Sequence, residues 1–199
     1  SWTNKPTDGL SAVVAVDPHV LDYNHARSTA DKFFNMQKVY SKDGDIYLPY
    51  AYDPTIHYEE SGVEKIYDVA MVGLEYPHRM KLADELRKKG LRVYINTGEI
   101  FEDYRKVNNQ AHVVLNWSTL DDLNARAYEA PMMGIPAMND VTDMKLHSCF
   151  DRVPHFVGSD SGSDRLRFVG NAVEKVMDVM NNLKWHEANT QTIRFDMMN

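Results

Sequence analysis

The feature that most constrains this chain is a repeated switch of hydrophobic period. Short apolar runs alternate with longer segments whose apolar residues recur every three or four positions. Asp68-Val69-Ala70-Met71-Val72 reads as a buried strand stopped at Gly73. Pro77 then opens a helix running to Lys89, with Met80, Leu82, Ala83 and Leu86 on its apolar side and Gly90 as its stop. The alternation continues through a strand at 91–95, a helix at 100–109, a strand at 113–116, a helix from about 122 to 133 ending at Gly134, and a short strand at 135–138. Residues 152–157 are a candidate strand, and Phe168, Ala172, Val173, Val176, Met177, Met180 and Leu183 recur at helical spacing. Upstream, 12–16 reads as a strand closed by Asp17-Pro18, 24–32 as a short helix and 33–36 as a second strand. Residues 53–65 carry no period and read as a linker, and the tail from Trp185 carries no assignment. Such alternation predicts an α/β fold, a Rossmann-like parallel sheet with helices on both faces. Ligands of these sheets bind beyond the carboxyl ends of the strands, so the loops after Gly73, Asn96 and Asn116 form the expected working edge.

Composition narrows the function classes. Hydrophobic residues at 43% and charged residues at 26% fit a packed core rather than a disordered chain. Lys and Arg total 22 against 29 acids, a formal charge of -7, so nucleic acid is not indicated as a partner. The single cysteine, Cys149, can form no internal disulfide and reads as buried rather than reactive. A reducing cytoplasm is the expected compartment. No apolar run approaches the roughly 20 residues of a membrane span, and residues 1–6 lack the apolar core of a signal peptide. The eight histidines show no H-E-x-x-H spacing, and Asp121-Asp122 is not a D-x-D motif; no metal and no cofactor are expected.

The segment from Leu120 to Pro136 is the richest in candidate chemistry. On a helix, Leu123, Ala127 and Ala130 share one face, while Asp122, Arg126 and Glu129 share another at steps of four and three. A helix start near Asn124 would offer free N–H groups and partial positive charge to a diphosphate. Glu129, further along, would then accept hydrogen bonds from ribose hydroxyls. The plainer reading pairs Asp122 with Arg126 on a solvated face and makes Thr119 and Asp122 helix caps.

Asp121 and Glu129 stand in a D-x7-E arrangement followed by Ala-x-x-x-Gly-Ile-Pro, which resembles the E-x7-E region of GT-B glycosyltransferases. The D-D-L-N-x-R-x-x-E-A-x-x-x-G run from Asp121 is similar to the signature of the CgeB-like spore-protein branch of the group 1 glycosyl transferases. Tyr67 to Gly73 followed by Tyr76-Pro77-His78-Arg79 resembles that family's Y-D-V-x-x-V-G-x-x-Y-P-x-R. Asp17-Pro18-His19, Gln37-Lys38 and Leu48-Pro49-Tyr50-Ala51-Tyr52-Asp53-Pro54-x-x-His57 resemble the end of its N-terminal lobe.

The resemblance spans roughly residues 12–157 and implies the C-terminal half of a GT-B fold plus a partial N-terminal lobe. It divides the chain into a partial lobe and linker (1–62), a nucleotide-sugar-binding domain (63–184) and a tail (185–199). The implied activity is transfer of a sugar from a nucleotide-diphosphate donor to an unknown acceptor, leaning towards retention at the anomeric carbon. Glu129 falls on the ribose, Asn124 and Arg126 beside the diphosphate, and Gly73 with Arg79 on the phosphate-side loop. Asp121 takes the place of the first acid of the pair, shorter than the family's Glu. Pro131-Met132-Met133 replaces the small residues usual after Glu-Ala.

Some candidates carry two readings. Arg79 is either a diphosphate clamp or a solvated surface arginine, and Gly73 either a close approach to ligand or an ordinary turn. His19, after Asp-Pro, is either a base or substrate contact in a cleft or a structural histidine. At the level of function, the alternative is a non-catalytic nucleotide or nucleotide-sugar binding module, or one subunit of an assembly, a homo-oligomer included. A flavodoxin-like or receiver-like domain is a further rival, whose acid cluster and Lys at strand ends are not assembled here.

Overall fold

A computed structural model of the chain describes residues 8–18, 21–118, 123–140, 153–156 and 164–198. The chain divides into two compact units, Ser1–Tyr50 and Ala51–Asn199. In the first, β1 (Ala12–Ala15), α1 (Asn24–Thr29), β2 (Lys32–Asn35) and β3 (Ile46–Tyr47) build a three-stranded parallel sheet in that strand order. Ala15, Ala26 and Phe33 form its core. Asp45, almost fully buried, ties the loop before β3 to α1 and β2 by accepting from Arg27 Nε at 2.7 Å, Arg27 Nη2 at 3.1 Å and Asn35 Nδ2 at 3.3 Å. Sequence periodicity missed β3 because two residues cannot express a period of two.

The second unit bears out the expected architecture. Its elements are β4 (Tyr67–Val72), α2 (Pro77–Lys88), β5 (Val93–Asn96), α3 (Phe101–Asn109), β6 (Ala111–Asn116), α4 (Arg126–Met132), β7 (Ala137–Asp140), β8 (His155–Phe156), α5 (Val169–Asn181) and α6 (Leu183–Met198). The five strands form one sheet in the order β5-β4-β6-β7-β8, every pair parallel. Period-two alternation sends side chains to opposite faces. Val69, Met71, Val113 and Leu115 pack on one face with Leu82, Leu86, Ala172 and Val176 of α2 and α5. Val72, Val114 and Ala137 pack on the other with Tyr104, Ala130 and Met133. Truncating a fully buried leucine such as Leu82 costs about 2–5 kcal/mol.

The structure departs from the sequence reading at two elements. The helix expected from about residue 122 begins at Arg126 instead, with Asn124 in the approach to it. The unassigned tail is the helix α6, whose buried positions are His186, Thr190 and Ile193. Two of those three are polar, so no apolar stripe marks the buried face. Gly134 closes α4 at φ +72°, and a Cβ there would lie 2.8 Å from Glu59 Cδ, so the turn requires glycine for both backbone and space.

Candidate functional site

In this strand order β4 is the switch point: one crossover leads out to β5, and the chain then returns to β6 on the other side. The crevice of such a sheet opens beyond the carboxyl ends of those strands. Gly73 ends β4 there at φ +141°, a conformation that side chains rarely adopt. A Cβ at this position would stand 3.3 Å from Arg79 Nη1 and 3.4 Å from Arg126 Nη2. The glycine therefore lets two guanidinium groups approach the loop, while its own N–H is engaged with Asn96 O at 2.9 Å.

The two arginines are held by different partners, and Arg79 is not the solvated surface arginine of the plainer reading. Arg79 is buried, donating from Nε to Trp117 O at 3.0 Å, from Nη2 to the same oxygen, and from Nη1 to Leu74 O at 3.0 Å. It fastens the ends of β4 and β6 together rather than lying on the surface. Arg126 donates from Nη2 to Val72 O and from Nη1 to Asn116 Oδ1 at 3.2 Å, and its Nε is buried without a partner among the described residues.

A buried amide relay supports Arg126. Asn116 ends β6 and pairs with Asn139 near the end of the adjacent β7, and Asn96 ends β5 on the other side of β4, so parallel pairing sets all three residues at the carboxyl edge. Asn116 Oδ1 accepts from Asn124 Nδ2 at 2.7 Å as well as from Arg126, and Asn116 Nδ2 donates to Asn139 Oδ1 at 2.6 Å. Asn124 Oδ1 in turn accepts from Arg126 N at 3.1 Å. Beside the relay, Asp140 accepts from Ser118 N at 3.1 Å and Ser118 Oγ at 2.6 Å.

One turn into α4, Glu129 projects towards α3 and the segment before β4. Its Oε2 accepts from Tyr104 OH at 2.8 Å, and His57 Nε2 lies 3.6 Å from Oε1. Burial, reinforced by Glu129 and opposed by Arg126, holds the Tyr104 hydroxyl protonated well above its ordinary range, so it acts as a donor. The carboxylate remains partly accessible, with one side chain addressed to each oxygen. Glu129 is therefore neither a solvated surface acid nor a member of a buried ion pair with Arg126.

Of the residues singled out from the sequence, Gly73, Arg79, Asn124, Arg126 and Glu129 gather at this edge. His19, Asp121 and Cys149 lie outside the described residues. Sequence reasoning missed Asn116, Asn139, Tyr104 and His57. The first two were marked only by asparagine recurring at strand ends, and His57 only by its place in an Asp-Pro-x-x-His run. A groove of about 440 Å³, lined by Glu59, Lys65, His112, Gly134 and Glu187, opens at the opposite, amino edge. Among the described residues no group of three or more His, Cys, Asp or Glu is placed to hold a metal ion. Among them, too, no helix is long and apolar enough to cross a membrane.

No protein-family model matches the chain, and no curated protein matches it in sequence. Solved structures do match it. Sucrose-phosphate synthase from Thermosynechococcus elongatus superposes with a TM-score of 0.60 over 85% of this chain and 54% of that one, at 14% identity. The pneumococcal O-GlcNAc transferase GtfA, solved with UDP and GlcNAc, gives 0.65 over 92% and 48%, at 12% identity. An alpha-glucosyltransferase solved with UDP and a DNA 13-mer gives 0.55 over 94% and 66%, at 8% identity. The chain spans about half the length of the first two. These neighbours are GT-B glycosyltransferases, and at such identities the likeness is one of fold.

Proposed function

We propose that this chain supplies the donor-binding half of a glycosyltransferase, taking a nucleoside diphosphate sugar at the carboxyl edge of the five-stranded sheet. The observation that carries the reading is the pairing at one switch point of a glycine loop approached by two arginines with a held, accessible carboxylate one helical turn away. The diphosphate lies against Gly73, where the absent Cβ leaves room and Arg126 and Arg79 supply positive potential. The ribose hydroxyls donate to Glu129. As the glycosidic bond to the diphosphate breaks, the arginines offset the charge that develops on the leaving group without having to move. In this reading guanidinium charge does the work that a metal ion does in other donor sites. Asn124 and Asn116 act by fixing Arg126.

His19 and Asp121 keep their proposed catalytic places, His19 as base or substrate contact and Asp121 as the first acid of the pair. The CgeB-like branch is the family whose motifs this chain resembles. The fold neighbours, two of them solved with UDP, support a uridine nucleotide as the first donor to try. The acceptor is unassigned.

Calorimetric titration with uridine, guanosine and adenosine diphosphates and their sugars tests the proposal. A uridine compound should bind, and Glu129→Gln should weaken it by about 1–3 kcal/mol, roughly 5- to 150-fold, with the melting temperature little changed. Absence of heat and thermal shift across the panel removes the donor reading. Unchanged affinity in the Glu129 variant removes Glu129 from the site.

A further inference from the structure

The segment before β4 has no regular structure, yet residues 53–57 are closed on themselves by hydrogen bonds. Asp53 Oδ1 accepts from Thr55 N at 2.8 Å and Thr55 Oγ1 at 2.7 Å. Asp53 O accepts from Ile56 N at 3.0 Å and His57 N at 2.7 Å. The last bond runs the other way: Asp53 N donates to His57 Nδ1 at 3.0 Å. Pro54 fixes its own φ inside this turn and needs no partner for an N–H. The turn therefore grips the imidazole by one nitrogen and aims the other.

That grip has a chemical consequence. Because Nδ1 accepts a backbone N–H, a neutral ring carries its proton on Nε2. Nε2 is the nitrogen 3.6 Å from Glu129 Oε1, while Tyr104 OH occupies Oε2. The imidazole also stands edge-on to the Tyr104 ring, centroids 6.0 Å apart and planes at 89°, which limits its rotation. Glu129 thus has a hydrogen-bond donor on Oε2 and the imidazole Nε2 beside Oε1 at 3.6 Å, just beyond hydrogen-bond length, the two coming from different elements. Each oxygen keeps lone pairs for a ligand, but the plane of the carboxylate is set before any ligand arrives.

We infer that His57 is a positioning residue for ribose recognition: the Asp53–His57 turn holds its Nε2–H against Glu129 so that the carboxylate presents its free lone pairs to a vicinal diol. The inference rests on the donor reading above. It predicts that His57 governs discrimination between ribose and deoxyribose more than it governs overall affinity.

Two substitutions separate the roles of the two ring nitrogens. His57→Asn keeps an acceptor near the Nδ1 position, and so the turn, but cannot reach Glu129. His57→Gln carries an amide donor near the Nε2 position. The full 199-residue chain and its variants are titrated with UDP and with 2′-deoxy-UDP, and the ratio of affinities is read. His57→Asn should reduce the preference for UDP about 3- to 10-fold, the scale of a modest polar contact. His57→Gln should restore it, and His57→Asn should add little when Glu129→Gln is already present. Thermal melts of each variant establish that it is folded. The inference is overturned if His57→Asn leaves the ratio unchanged or weakens both nucleotides equally while Glu129→Gln abolishes the preference; the donor site then stands without it. A parent chain that binds neither nucleotide overturns the donor reading and this inference together.

Discussion

The two edges of the five-stranded sheet use the same residue types to opposite ends. At the amino edge charges meet their opposites: Arg92 Nη2 lies 2.9 Å from Asp68 Oδ1, and Arg194 Nη1 lies 2.8 Å from Glu59 Oε2. Lys65 donates to Ala111 O at 2.9 Å with Glu187 and Glu59 nearby. At the carboxyl edge the hydrogen bonds of two charged groups run to neutral partners: Arg126 donates to a backbone and an amide oxygen, and Glu129 accepts from a phenol. Ion pairing spends charge on the fold, whereas neutral hydrogen bonding orients a charge and leaves its field intact for a ligand. An edge built the second way is stable only if its buried polar atoms stay satisfied, and that makes the difference measurable.

The largest effect should come from the hub of the relay. Asn116→Leu strands Asn124 Nδ2, Arg126 Nη1 and Asn139 Oδ1 at once, and should cost about 2–4 kcal/mol in urea denaturation. A loss under about 1 kcal/mol would show that the relay is not what holds this edge.

Acid should then expose the same asymmetry. His78, at the start of α2, is stacked on Tyr76 and set edge-on to Trp117. Burial, with Arg79 and Arg165 nearby, lowers its imidazole from 6.5 to about 4. Between those values the unfolded chain binds a proton that the folded chain refuses, so stability falls as pH drops through that window. At roughly 1.4 kcal/mol per pH unit the loss reaches about 3 kcal/mol, and His78→Phe should remove most of it. His186, also lowered by burial, contributes in the same direction. Asp68 at the amino edge, raised by burial but lowered further by Arg92, loses its contribution only as pH falls below its usual range. Denaturation midpoints between pH 7.5 and 4.5 would separate the two; a slope that survives in His78→Phe contradicts the assignment.

The smallest effect belongs to the amino edge. Arg194→Gln should cost about 1 kcal/mol or less and leave the proposed UDP binding unchanged. A change in nucleotide binding there would erase the distinction between the edges.

How much of this was legible beforehand follows from what a one-dimensional pattern records. The strands β4 to β7 and the helices α2 and α5 were readable because each repeats an apolar period over several turns or pleats. Helix α6 was not, because His186 and Thr190 fill buried places with polar side chains. Gly73, Arg126 and Glu129 were found through motif resemblance, and the structure gathers them at one edge. The relay through Asn116 and Asn139 could not be seen, since an asparagine ending a strand looks the same whether it turns the chain or bonds its neighbour. His57 and Glu129, 72 positions apart, are brought together only by the fold.

The strand order also bears on how the sheet is assembled in time. No neighbours in it are joined by a hairpin, so every pairing waits for a loop to close. Val69 meets Val93 across 24 positions, and Val114 meets Ala137 across 23, but Val69 meets Val113 across 44. Closure entropy rises with loop length, so the β4–β6 pairing is the dearest in the sheet. On loop closure alone, the β4–β5 and β6–β7 pairs are expected to form ahead of β4–β6, by roughly 0.6 kcal/mol of closure entropy. The crevice beside Gly73 and Asn116 lies on the line between β4 and β6, so a nucleotide bound there would rivet together the two halves that the chain joins with the greatest reluctance.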